Sequence, residues 1–251
     1  MKEAIRDVNG NEWQLGCLPR TTKVLQQDLA GKYLFPEYGT EGTPPLISNA
    51  RLAKLPDVIS PQLVWHIINQ ANQGSCCACM VIDAIMLLRA IAGLLQVILS
   101  QASLYGLGNG GRDQGMAVDT GLELAMRIGP CPVDVIGQYD WQGYGRGTWP
   151  SNYKVIGQRY RILKAYDCLT MQHVKSAYKC GLPVCYGANG HAVVRIGDGL
   201  DINSWDRSWG QNGLGTWVSE ATLARELPRY GAFVPYIVAD PDDDGDLPQP
   251  K

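Results

Sequence analysis

The sequence predicts an α+β fold, with a helical half followed by a β-rich half and a groove between them. Three observations carry this reading. Apolar residues recur at helical spacing between Cys77 and Ile128, short alternating runs replace them after residue 160, and Asp198-Gly199 stands between two such runs as a tight-hairpin dipeptide.

The elements follow in order. Ser75 can cap a helix beginning near Cys77, and Met80, Ile82, Ala84, Ile85, Leu87, Leu88 and Ile91 carry it, largely buried, to about Ala92. Gly93 interrupts, and a second apolar segment runs to Tyr105. Asn109-Gly110-Gly111-Arg112 is a turn, and Thr120–Ile128 a helix ended by Gly129-Pro130. Tyr160–Leu163 alternates, and Met171–Lys179 is a short amphipathic helix. Leu182–Tyr186 and Ala192–Ile196 read as strands. The Asp198-Gly199 turn then sends Leu200–Trp205 back beside the second of them, so Asn203 comes to lie next to the strand that starts at His191. Gly215–Val218 and Ala232–Val238 complete the sheet.

The chain has 251 residues, enough for one large core. The expected organisation is an N-terminal extension over 1–54, a catalytic-type domain over 55–239 and an acidic tail over 240–251. The helical lobe covers about 55–135 and the β-rich lobe about 136–239. The extension is rich in Gly, Pro and polar residues with little helical periodicity, so no self-inhibited precursor is expected, and Trp13–Pro19 should lie along the domain surface. A net charge of −2 gives no electrostatic case for nucleic acid or an anionic membrane. The longest apolar stretch, Ala78–Leu99, is broken by Asp83, Arg89, Gly93 and Gln96, which makes it a buried helix and not a membrane span. Met1–Asp7 lacks the apolar core of a secretory signal, which points to a cytoplasmic or virion-associated protein with mostly reduced thiols. Asp240–Asp246 lacks regular calcium-ligand spacing and reads as a solvated tail.

Three separated segments carry chemistry: Gln73-Gly74-Ser75-Cys76-Cys77-Ala78-Cys79, Gly190-His191-Ala192-Val193, and Asn203-Ser204-Trp205 followed by Ser208-Trp209-Gly210. A thiol, an imidazole and two carboxamides in this order can supply a nucleophile, its base, a group that orients the base and an oxyanion donor. Over roughly residues 55–235 these segments resemble the papain-like cysteine proteases, closer to their bacterial and viral branch. The resemblance implies a two-lobed fold and hydrolysis of polypeptides without metal or cofactor. It assigns Cys79, six residues after Gln73, as nucleophile, with Cys76 and Cys77 as competitors in another register. It assigns His191 as base, Asn203 as its orienting partner, Gln73 as oxyanion donor, and Trp205 as the cover of the His–Asn bond. Gly110, Gly111, Gly190 and Trp205 are the substrate-contacting positions it implies. Of the other histidines, His66 lies in a Trp-His-Ile-Ile segment and His173 on a polar helix. The sequence departs from the family pattern at Met80 after the proposed nucleophile and at Cys77-Ala78 before it. The family cysteine matched by Cys76 often forms a disulfide with a Cys in a Gly-rich turn, but Gly108-Asn109-Gly110-Gly111 has none.

Other readings compete. Cys76-Cys77-Ala78-Cys79 contains the Cys-x-x-Cys of a dithiol redox protein. Three close cysteines and a distant His could hold zinc. A papain-like domain can also serve as a structural or binding component of a virion or surface assembly, with other proteins of that assembly as partners.

Overall fold

The computed structural model describes residues 4–6, 12–20 and 46–239. The expected tail over 240–251 and most of the extension lie outside the described residues.

The N-terminal part supplies three short strands, β1 (Ala4–Arg6), β2 (Glu12–Gln14) and β3 (Cys17–Leu18), and one turn of helix, α1 (Asn49–Leu52). The helical half holds α2 (Cys76–Ile91), α3 (Gln101–Asn109), β4 (Met116–Ala117), α4 (Val118–Arg127), α5 (Gln142–Arg146) and α6 (Tyr153–Gln158). The second half holds β5 (Ile162–Asp167), α7 (Met171–Lys179), β6 (Val184–Ala188), β7 (His191–Gly197), β8 (Leu200–Ile202), β9 (Leu214–Gly215), α8 (Glu220–Tyr230) and β10 (Ala232–Val238). Its strands form one antiparallel six-stranded sheet in the order β5-β10-β6-β7-β8-β9. The α+β expectation holds.

Helix α2 is the central element. Every residue from Cys76 to Arg89 is buried, because the helix packs on the other helices on one side and on β7 and β10 on the other. A helix apolar all round is the sequence signature of such enclosure. Arg89 is accommodated by donating to the carbonyls of Leu95 (2.8 Å) and Ala239 (3.1 Å). Burial pushes the Asp83 carboxyl well above the usual range, against a backbone hydrogen bond at Ile68.

Two tight turns set the register of the β half. Asn189 and Gly190 both have positive φ, 52° and 75°, and join β6 to β7 with Ala188 opposite His191. Asp198-Gly199 joins β7 to β8 as the sequence predicts. A buried ion pair stiffens the second hairpin. Arg195 Nε donates to Asp201 Oδ1 at 2.6 Å and its Nη2 to Oδ2 at 3.1 Å. Tyr186 Oη and the backbone N–H of Trp217 also donate to Oδ2, at 3.0 and 2.9 Å. Removing one charge would strand the other in the core. Arg195→Met is therefore expected to lower unfolding stability by about 3–5 kcal/mol, read from urea denaturation. A loss under about 1 kcal/mol would show that the pair is dispensable.

The sequence reading missed α5, α6 and α8. It also placed the N-terminal segment on the domain surface. The structure instead buries Trp13 and Cys17 between the two halves. There β3 pairs in parallel with β4 of the helical half, and Cys17 N–H donates to Gly190 O of the β half at 2.9 Å.

Candidate active site

The loop Asn69–Ser75 leads into α2, with Ser75 as N-cap and Cys76 as the first helical residue. The unpaired N–H groups of a helix start favour negative charge, so a sulfur there is a natural thiolate. Across the groove, His191 opens β7 and Asn203 follows β8. Both are fully buried, and His191 Nε2 lies 2.8 Å from Asn203 Oδ1. An amide oxygen only accepts, so Nε2 donates to it and Nδ1 is the ring nitrogen turned away from Asn203. The Trp205 ring lies tilted over the imidazole, centroids 4.5 Å apart, and the Trp217 ring meets it edge-on at 5.1 Å, which keeps water from the His–Asn bond.

Nδ1 has no hydrogen bond of regular geometry within the described residues, and the thiol facing this ring is that of Cys76. Burial alone would raise the Cys76 pKa. Interaction with the Cys77 thiol, the hydrogen bond and charge of His191 and a backbone hydrogen bond from Gly16 outweigh burial and hold it well below the ordinary thiol value.

Cys79 is placed differently from the sequence expectation. It sits one turn into α2, fully buried, with Sγ 3.6 Å from Ser75 Oγ. Burial, Asp83 and Cys76 push its pKa well up, against hydrogen bonds from Ser75 and Ser204, and His191 is not among its partners. The structure thus brings Cys76, His191 and Asn203 together and leaves Cys79 behind them.

The glutamine shifts by the same three residues. Gln70, six before Cys76, is fully buried at the groove. Its Oε1 accepts from Ser204 Oγ at 2.7 Å, which aims its amide nitrogen at two carbonyls, Gln73 O at 3.0 Å and Gln14 O at 2.9 Å. Gln73 contributes that backbone oxygen, while its side-chain Oε1 is buried without a partner. The signal for this register was present in the sequence. Gln70–Cys76 and Gln73–Cys79 have the same six-residue spacing, and only the position of the helix start separates them.

Of the expected substrate positions, Gly190 and Trp205 border the groove, and the chain's own N-terminal segment occupies both. Trp13 stacks on Trp205 with centroids 5.6 Å apart and planes 7° from parallel. Gly16 O accepts from Met116 N–H at 2.9 Å. Gly16 lies so close to the loop before α2 that a Cβ on it would stand 2.1 Å from Gly74 O. Gly110 caps α3 in the left-handed conformation with open space beside it, and Gly111 packs on Gly145. Gly115-Met116, not Gly110-Gly111, meets the bound strand: a Cβ on Gly115 would stand 2.6 Å from Gly16 O. The groove wall here is one hydrogen-bonded unit. Asp113 Oδ1 accepts from Gly74 N–H at 3.0 Å and Tyr105 Oη at 2.6 Å, and that hydroxyl accepts from Gly115 N–H at 3.0 Å.

The rival readings find no geometry of their own. The residues entering α2 are turns and not a strand, so the Cys-x-x-Cys lacks a redox setting. Among the described residues no group of three or more His, Cys, Asp or Glu side chains is placed to hold a metal, and no helix is long and apolar enough to cross a membrane. His173 Nδ1 accepts from Leu169 N–H on the far side of the β half. The His66 pKa is lowered by burial and by Arg207, and its Nε2 is buried without a partner.

A helix-borne thiol facing a sheet-borne His–Asn pair, with the groove between two halves, is the architecture of the papain-like cysteine proteases, and the chain has that fold. Xylellain, a cysteine protease from Xylella fastidiosa, superposes with TM-score 0.62 at 16% identity over 83% of this chain and 95% of its own. The cysteine protease and lectin-like domains of Cwp84, a surface layer associated protein of Clostridium difficile, superpose at 0.59 with 17% identity. That match covers 88% of this chain and 59% of that one. Digestive procathepsin L 3 of Tenebrio molitor larval midgut superposes at 0.54 with 16% identity over 73% of each chain. No family model and no curated protein matches the sequence. A virion-component role has no support among these structures.

Proposed function

We propose that this chain is a papain-like cysteine peptidase with Cys76 as nucleophile, held in a latent form by residues 13–18. The observation that carries the reading is the Cys76 thiol at the start of a buried helix, facing an imidazole whose far nitrogen is pinned by Asn203. In the reaction the thiolate attacks the scissile carbonyl. The developing oxyanion is met by the Gln70 amide and the Cys76 N–H, a donor pair in which one member is worth about 3–4 kcal/mol. Imidazolium at His191 protonates the leaving amine, and the ring then deprotonates the water that releases the acyl group. The Gln14 carbonyl on Gln70 stands where the oxyanion would form. The strand presents to the sulfur the N–H of Gly16 and not a carbonyl carbon, so it binds without being a substrate.

The test is alkylation by iodoacetamide in the Trp13→Ala chain, where loss of the stack on Trp205 frees the groove. Cys76 is expected to react faster than the other seven cysteines. Because its pKa is depressed, its rate should stay nearly flat from about pH 8 down to about pH 6. A rate that instead climbs about tenfold per pH unit towards the ordinary thiol value of about 8.5 would show an unactivated thiol. Preferential labelling of Cys79 would return the nucleophile to the other register.

A further inference from the structure

Cys17 is a cysteine the proposed reaction does not use, yet it sits in the groove. It follows Gly16, whose N–H faces the Cys76 sulfur, and its own N–H is tied to Gly190 O at 2.9 Å. Its side chain turns inward and is 6% exposed. It packs so tightly on β6 that a Cβ at Gly187 would meet its Sγ at 2.7 Å. Its Sγ is 3.8 Å from Leu18 O, and on the α2 side its thiol neighbours that of Cys77, the second residue of the helix, which in turn neighbours the Cys76 thiol; all three belong to one buried cluster. All three are free thiols. The N-terminal strand is thus anchored in the groove by a cysteine facing a cysteine that neighbours the nucleophile without being it.

We propose that Cys17 and Cys77 form a redox latch, a disulfide that fastens the N-terminal strand in the groove and leaves Cys76 a free thiol beneath it. Two thiols react with one molecule of a low-molecular-weight disulfide such as oxidised glutathione. The first attack makes a mixed disulfide and releases one glutathione thiol. The second cysteine then displaces the other, so one S–S bond is broken, one is made, and both protons leave on the two glutathione thiols. Burial raises the pKa of both thiols, Cys17 moderately and Cys77 strongly, so the reaction runs through the opened strand and not the closed one. The bond closes a loop of about 60 residues, long enough to disfavour release of the strand substantially. The consequence for activity rests on the peptidase reading; the bond itself does not.

The test uses the full chain carrying Cys76→Ala, which removes the competing thiolate, treated with oxidised glutathione. Peptide mapping without reductant is expected to join the Cys17 peptide to the peptide bearing Cys77. The link should vanish in Cys76→Ala/Cys77→Ala and on adding dithiothreitol. Amide hydrogens of residues 13–18 should exchange at least about tenfold more slowly in the oxidised than in the reduced chain. Cys17 remaining alkylatable after oxidation, a link that survives Cys77→Ala, or a link with no change in exchange would each overturn the latch. If the link forms but the reduced wild-type chain hydrolyses no peptide, the latch stands and the peptidase reading falls.

Discussion

Replacing Cys76 with alanine is expected to abolish peptide hydrolysis, while replacing Cys79 with alanine leaves turnover within about threefold. The contrast follows from where α2 begins. Cys76 occupies the first helical position and faces the ring whose other nitrogen is held by Asn203, whereas Cys79 is a turn deeper, hydrogen-bonded to Ser75 and kept protonated by burial. Losing a nucleophile that acts as a unit with its base costs on the order of 10³–10⁶ in kcat. Losing a buried thiol costs packing, so Cys79→Ala should appear as a lower Tm and not as a lower rate. Both variants are best assayed in the Trp13→Ala background with fluorogenic peptides under reducing conditions, with circular dichroism as the control on folding. Full activity in the Cys76 variant, or a dead but folded Cys79 variant, would reverse the assignment.

Gly16→Ala is expected to raise turnover and Cys76 alkylation at least about tenfold over the wild-type chain. The Cβ would fall 2.1 Å from the Gly74 carbonyl oxygen, a backbone atom of the loop that leads into α2 and is itself tied to Asp113. Neither side can yield cheaply, so the strand must lift, taking the Gln14 carbonyl off Gln70 and the Gly16 N–H off Cys76. An enzyme whose competent form is a minor population gains activity in proportion to the population released. Trp13→Ala should act in the same direction through a different contact, by removing the stack on Trp205. If neither variant is more active than the wild-type chain under reducing conditions, the strand is not what restrains it.

Much of the fold was legible because its signals are local. The Met171–Lys179 helix and the Ala232–Val238 strand have the bounds the pattern predicts, and the Asp198-Gly199 hairpin does bring Asn203 to His191. Helix α8 was missed although Ser219 caps it and Leu223, Leu227 and Tyr230 line its buried face; Pro228 near its end obscured the pattern. The thiol that faces His191 differs by one helical turn from the one the sequence favoured because the spacing Gln–x5–Cys occurs twice, three residues apart. Reading the helix to start near Cys77 favoured Cys79 as the first-turn thiol. With the start at Cys76, the N-terminal N–H groups favour the other. The strand in the groove left no sequence trace, since six extended residues have no periodicity and, apart from the pairing of β2 with β1, the groove partners that hold them lie more than fifty positions away.

The link from Gly74 through Asp113 and Tyr105 to Gly115 also bears on how the groove can open. It welds the segment before the sulfur to the ledge that receives the incoming backbone, so the helical wall moves as a rigid plate. Access to the groove then depends on the N-terminal strand leaving its ties to both walls, including that of Cys17 N–H to Gly190 O. Motion measured on the microsecond to millisecond scale should be concentrated in that strand, and residues 113–116 should stay quiet.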